Sequence, residues 1–225
     1  MTETIADKFE LWKIRELLQA YKGLELRPIW NGFVRIEGTL LFSADANGLE
    51  RINDSYEICL WVPLEFPRRI PFVKETGGRI PKDFHKMTDG SLCLGSPSRQ
   101  KLALGRDPTL PGFVRLCVIP YFYGFSFREK HKSLPFGDLK HGSQGLRQDF
   151  AEIFGIKDGK AAIQMVKLAG MKKRIANKRP CPCGSGRRLG KCHNLKVNGL
   201  RRQLGRIWCH AQYQWIEKPS SIGRN

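Results

Sequence analysis

The sequence predicts an α+β protein: an N-terminal helix, a four-stranded antiparallel meander, an irregular loop and C-terminal helices, followed by a small basic tail. Three observations lead there: a helical apolar period at the start, β-rich stretches punctuated by turn dipeptides, and a step in charge near residue 155. Residues 1–155 hold 22 Lys and Arg against 19 Asp and Glu, whereas residues 156–225 hold 17 against 2, so the formal charge of +18 belongs almost wholly to the tail. The first stretch is long enough to bury a core as one domain. Residues 156–178 read as a basic linker or helix, and 179–225 as a tail too small and too charged to bury a core unaided.

The opening helix is expected from about Glu3 to Tyr21, with Ile5, Phe9, Trp12, Leu17 and Leu18 largely on one face and Gly23 as its stop. Strands follow over Leu24 to Trp30, Phe33 to Ser43 and Asp54 to Val62, separated by Asn31-Gly32 and Asn47-Gly48. The prolines 63, 67 and 71 forbid a helix and hold an extended path into a fourth strand. Ile80 to Leu94 is irregular and carries His85 and Cys93. The apolar run Pro111 to Phe127 is buried, but Pro120 argues against one long helix. Leu134 to Gly142 reads as a loop, and Gly145 to Ile156 as a helix with Leu146, Phe150, Ile153 and Phe154 inward.

The sharpest local signal is Cys181-Pro182-Cys183-Gly184-Ser185-Gly186 with Cys192-His193, four soft ligands in thirteen residues. Two thiolates one residue apart grip one side of a zinc ion, the Cys192-His193 pair closes a tetrahedron, and the glycines allow the sharp bend between them. A Cys181–Cys183 disulfide is the rival reading. Zinc binding would supply much of the tail's folding energy. Residues 179–194 also resemble the SEC-C motif, a zinc knuckle appended to many unrelated proteins, which implies a partner-recruiting role.

Over residues 3–100 the helix, the four strands, the passage Pro63, Phe66, Pro67, Pro71, Val73 and the segment Gly90-Ser91-Leu92-Cys93-Leu94 resemble a ubiquitin-conjugating enzyme (UBC) domain. The resemblance implies that Cys93 carries a partner protein's carboxy terminus as a thioester. The family's His-Pro-Asn motif is absent, and its asparagine position, eight residues before the cysteine, holds His85, as in bacterial members. A histidine can donate to an oxyanion or take the proton of an incoming lysine amine. No cation flanks Cys93, which suits thioester exchange with an activated partner better than attack on a stable amide. Activation would come from another protein, since no phosphate-gripping glycine loop is present. Bacterial relatives stand in antiphage defence (CBASS-type) operons, so the resemblance makes a cGAS-like nucleotidyltransferase the leading acyl donor, with a lysine-bearing protein as acceptor. Two other readings stand beside this one: a silent scaffold of the same fold whose zinc tail binds nucleic acid or an acidic protein, and a cysteine hydrolase using Cys93 and His85, which lacks an evident third group to orient the histidine, Asp83 being too near in sequence.

Cys59 and Cys117 sit in apolar strings and read as core, Cys209-His210 as a surface coincidence rather than a metal or redox pair, and His131 and His141 as solvated loop residues, although His141 could border the active site. Lys167, Lys172, Lys173, Arg174, Lys178 and Arg179 approach the knuckle, and Arg201, Arg202 and Arg206 leave it, with Trp208, Tyr213 and Trp215 interleaved. That pattern suits nucleic acid or an acidic protein equally well, and a solvated surface with no specific ligand is the third reading. Seven cysteines without a secreted framework, and no leader or membrane-spanning run, lead to the expectation of a cytoplasmic protein with no membrane partner.

Overall fold

The computed structural model describes residues 4–46, 48–135 and 142–217. The expected loop at Phe136 to His141, and with it the placement of His141 near a site, lies outside the described residues. The chain divides into two compact units, Met1–Asp138 and Leu139–Asn225. The division thus falls before the step in charge at residue 155.

In the first unit, α1 (Ile5–Leu11) is closed by a reciprocal cap: the Asp7 amide donates to the Thr4 hydroxyl, and the Thr4 amide donates to the Asp7 carboxylate. The one helix expected to Tyr21 is broken, and α2 spans Ile14–Ala20. Trp12 causes the break. Its indole is buried and donates to the Phe66 carbonyl at 3.1 Å, while its own carbonyl accepts the Leu110 amide at 2.9 Å and is lost to a continuing helix. Lys13 turns the chain with a left-handed φ of 57°.

The strands β1 (Leu24–Trp30), β2 (Phe33–Ala44), β3 (Ile52–Pro63) and β4 (Phe72–Glu75) form the expected antiparallel meander in the order β1-β2-β3-β4. Period-two alternation sends Val34, Ile36, Leu40, Tyr56, Leu60, Val62 and Val73 into the core. Gly38 has to be glycine: its φ is 129°, and a Cβ there would stand 2.2 Å from the Gly23 carbonyl oxygen.

After α3 (Pro97–Arg106) comes one uninterrupted helical run: α4 (Leu110–Phe113), a π turn over Val114–Val118 and α5 (Ile119–His131). Pro120 therefore does not end the helix. The π turn immediately before it lets the Ile119 amide reach the Val114 carbonyl, so the ladder widens by one residue where the proline has no N–H to give. The run is long and apolar enough to cross a membrane by length and composition. Its apolar side chains are otherwise engaged: Phe113, Val114, Val118, Phe122 and Phe125 close the same core as the sheet. Each such buried side chain contributes about 1.5–3 kcal/mol.

The second unit is built on α7 (Gly159–Gly170), against which α6 (Gly142–Phe154), α9 (Asn194–Leu204) and α10 (Arg206–Glu217) pack. Ala162, Ile163, Met165, Val166 and Ala169 of α7 are buried, as are Phe150, Phe154, Val197, Leu200 and Ile216 from its neighbours. The span expected as a basic linker or helix thus contains the central core helix of this unit, and the tail does bury an apolar core. The Arg201 guanidinium caps α7, donating to the carbonyls of Ala169 and Leu168 at 2.9 and 2.7 Å, where the helix dipole is negative. A short α8 (Lys173–Ala176) leads into the cysteine hairpin.

Candidate functional site

In the first unit, the segment after β4 folds back so that Lys86 and Leu92 pair across a small hairpin. The Met87 amide donates to the Ser91 carbonyl at 2.7 Å, and Asp89 accepts from both the amide and the hydroxyl of Ser91, which lowers the Asp89 carboxyl below its usual range. The Leu92 amide donates to the Val73 carbonyl of β4 at 2.8 Å, so the hairpin hangs from the sheet. Leu92 and Leu94 are buried on either side of a partly exposed Cys93.

The structure brings the two residues singled out from the sequence together: the Cys93 amide donates to the His85 carbonyl at 2.7 Å. His85 is partly exposed and held at φ 39°, a left-handed backbone that a non-glycine residue adopts only when its surroundings over-determine it. Those surroundings are identifiable. The neighbouring Phe84 is buried, its carbonyl accepts the Tyr121 hydroxyl at 3.0 Å, and its ring lies against Tyr121 and Phe125 with the Arg128 guanidinium over it at 5.1 Å. Lys86, on the other side, is largely buried and pairs with the fully buried Glu75 side chain at 3.4 Å while donating to the Ile80 carbonyl at 2.7 Å. Burial first, then the adjacent Cys93 and Glu75, push the Tyr121 phenol far above its ordinary range, so it remains a neutral donor. Tyr121, Glu75 and Lys86 were not foreseen. Glu75 and Tyr121 come from β4 and α5, far from Cys93 in sequence, and although Lys86 stands on the same hairpin as Cys93, its role depends on the distant Glu75.

Cys59 and Cys117 fall in the core as expected, whereas Cys209, expected at the surface, is buried, and His131, expected in a solvated loop, ends α5. Cys59 and Cys117 are buried, and burial pushes both thiols up to about 11. Cys209 is buried and pushed likewise to about 11, while its neighbour His210 is exposed. His131 and Lys130 both bind the Glu50 carboxylate on the surface of the unit.

In the second unit, the chain from Arg179 to Leu189 is a hairpin: Cys181 N–H donates to the Arg187 carbonyl and Leu189 N–H to the Arg179 carbonyl, each at 2.8 Å. Gly184 and Gly186, at φ 79° and 69°, make its tip. A short 3₁₀ turn, Leu189–Lys191, then delivers Cys192 and His193 to the start of α9. The ligand atoms of Cys181, Cys183, Cys192 and His193 all lie within 4.8 Å of one another, a cluster able to hold a metal ion. The Cys183 and Cys192 sulfurs are 3.5 Å apart, and His193 Nδ1 is 3.4 Å from Cys181 Sγ and 3.2 Å from Cys192 Sγ. All seven cysteines are free, so Cys181 and Cys183 are not bridged. Hydrogen bonds from Ser185 lower the Cys183 thiol to about 6, while burial pushes Cys181 up to about 11. Arg187 Nη2 approaches Cys192 Sγ at 3.9 Å, placing a cation beside the sulfur cluster.

Comparison with protein-family models, with curated proteins and with solved structures finds no match.

Proposed function

We propose that the first unit is a ubiquitin-conjugating-enzyme-like acyl carrier. Cys93 accepts the carboxy terminus of a partner protein as a thioester and passes it to a lysine amine with the help of His85. The observation that carries this reading is the backbone bond from Cys93 to His85, which fixes a histidine beside a partly exposed cysteine at the end of a four-stranded meander. In the loading step the Cys93 thiolate attacks the carbonyl carbon of an activated thioester, and the incoming carrier's thiolate leaves. In the discharge step a lysine amine attacks the Cys93 thioester, the Cys93 sulfur leaves, and the amine's surplus proton goes to His85 or to water. A histidine in that place also donates to the oxyanion that both steps develop, an effect worth roughly 10²- to 10³-fold in rate. The leading acyl donor is a cGAS-like nucleotidyltransferase of an antiphage defence operon, and a reducing cytoplasm suits seven free cysteines.

The ion suited to Cys181, Cys183, Cys192 and His193 is zinc. With zinc–sulfur bonds of about 2.3 Å and a zinc–nitrogen bond of about 2.0–2.1 Å, a tetrahedron needs donor edges of roughly 3.5–3.8 Å. The closest donor separations, 3.2 to 3.5 Å, fall within a few tenths of that. Four protein ligands would leave no open position, so a bound ion would supply folding energy rather than a reactive water.

The deciding experiment is intact mass of the protein captured from cells expressing its operon, wild type beside Cys93→Ala, with and without thiol reductant. A protein-sized adduct that needs Cys93 and is released by thiol is the expected result. No adduct on the wild-type protein in the complete operon would overturn the carrier reading in favour of the silent scaffold.

A further inference from the structure

We propose that the hairpin and α8 of the second unit form a binding surface for nucleic-acid phosphate backbone that reads no base sequence. No Asp or Glu occurs between Asp158 and Glu217. Those two flanking acids are both engaged, Asp158 in accepting the Lys160 amide at the start of α7 and Glu217 in a 2.7 Å pair with Arg147. The cations of this stretch therefore have no carboxylate in their own segment to neutralise them.

The fold gathers them. Gly190 N–H donates to the Asn177 carbonyl at 3.0 Å and Leu189 N–H to that of Arg179, so the α8 segment is bonded along the edge of the metal hairpin. Pro180 and Arg188 pair across it. Lys172, Lys173, Arg174, Lys178, Arg179 and Arg188 are all exposed on these joined pieces. Arg187 is set apart, since it leans on the metal ligand Cys192. Half of the six are arginines, whose planar forks match phosphate oxygens in pairs.

Two further observations choose the ligand. An acidic protein partner would need a desolvated apolar anchor at the centre of the contact, and Ile175, 46% exposed, is the lone large apolar side chain exposed between Lys172 and Lys191. Of the aromatic residues expected to stack on bases, Trp208 and Tyr213 are half-buried, with Lys167 over the Tyr213 ring at 5.3 Å, and Trp215, 48% exposed, stands on α10, outside the hairpin and α8. What remains is charge without a stacking platform, which binds backbone and is indifferent to sequence.

The test is fluorescence anisotropy of the full-length, zinc-loaded chain with labelled duplexes of two unrelated sequences, titrated at several salt concentrations. Six contacts give a plot of log K against log salt with a slope of about −5 on duplex DNA, equal for both sequences. In Lys173→Ala/Arg174→Ala/Arg188→Ala the slope should shallow by about 3 with zinc content unchanged. If that variant loses its zinc, the three single substitutions carry the test, each shallowing the slope by about 1. No binding at low salt, a slope untouched by these substitutions, or a marked preference for one sequence would overturn the proposal. So would polyglutamate displacing the duplex charge for charge, which would assign the surface to an acidic protein.

Discussion

Replacing Glu75 by Gln isolates what holds the His85–Cys93 loop in place. The Glu75 carboxylate, 1% exposed, accepts the Arg79 amide at 3.0 Å, the Ile80 amide at 3.4 Å and Lys86 Nζ at 3.4 Å. Lys86 is itself only 13% exposed, so Glu75→Gln leaves an ammonium without its counter-charge where little water reaches. Breaking a buried pair from one side costs about 3–5 kcal/mol, and because the carboxamide keeps one acceptor oxygen, we expect the lower end, about 3 kcal/mol. That is about two orders of magnitude in the equilibrium for opening the loop. The assay is native-state hydrogen exchange at the amides of Leu92 and Cys93, which the Val73 and His85 carbonyls protect, with urea unfolding as the global control. Adding Lys86→Met to Glu75→Gln should recover most of the loss, because a neutral pair of similar volume no longer strands a charge. A Glu75→Gln variant whose two amides exchange within about threefold of wild type, or a double variant less stable than Glu75→Gln alone, would refute the claim that this pair pins the loop.

Other expectations follow from the same structure. His85→Asn should keep the left-handed backbone, which Asn tolerates better than most residues, and retain thioester discharge, whereas His85→Gly should relieve up to about 1 kcal/mol of strain while slowing discharge by roughly 10²-fold or more in a single-turnover gel assay. Tyr121→Phe should leave Cys93 loading intact but cost about 1 kcal/mol in urea, since the part-buried Phe84 carbonyl loses its donor. Asp54 is pushed up by burial, but its bonds from Arg79, Ser126 and the Ser55 amide outweigh this and hold it at about 2. Its stabilisation is thus full above the unfolded carboxyl value near 4 and lost as pH falls through about 2; after allowance for solvent screening it is about 1 kcal/mol, so Asp54→Asn should flatten the acid-unfolding curve below pH 4. Cys183→Ser or a strong chelator should remove the metal, seen by native mass spectrometry, and abolish amide protection at Cys181 and Leu189 while Leu40 and Leu60 stay protected.

How much of this was legible in the sequence depended on how local the cause was. The meander was readable because alternation at Val34, Ile36, Leu60 and Val62 and the turn at Asn31-Gly32 act between neighbours. The cluster of Cys181, Cys183, Cys192 and His193, able to hold a metal ion, was readable for the same reason, since thirteen residues and two positive-φ glycines suffice to bring the four together. The helix break at Trp12 was not, because the apolar period runs on through it. What ends α1 is a hydrogen bond from Leu110, far along the chain. Nor was the passage of a helix through Pro120, where the rule that proline stops helices yields to one extra residue in the turn before it. In the tail, average charge concealed the decisive pattern. Lys167 sits beside Val166 and Leu168 in α7, yet a helix presents those residues on different faces, so a segment basic in composition buries an apolar stripe and turns its cations outward. Tyr121 is the instructive omission at the candidate site. Its sequence neighbours mark it as core, and only the three-dimensional fold sets its hydroxyl on the carbonyl just before His85, where a single hydrogen bond couples the long helix to the loop that holds His85 and Cys93.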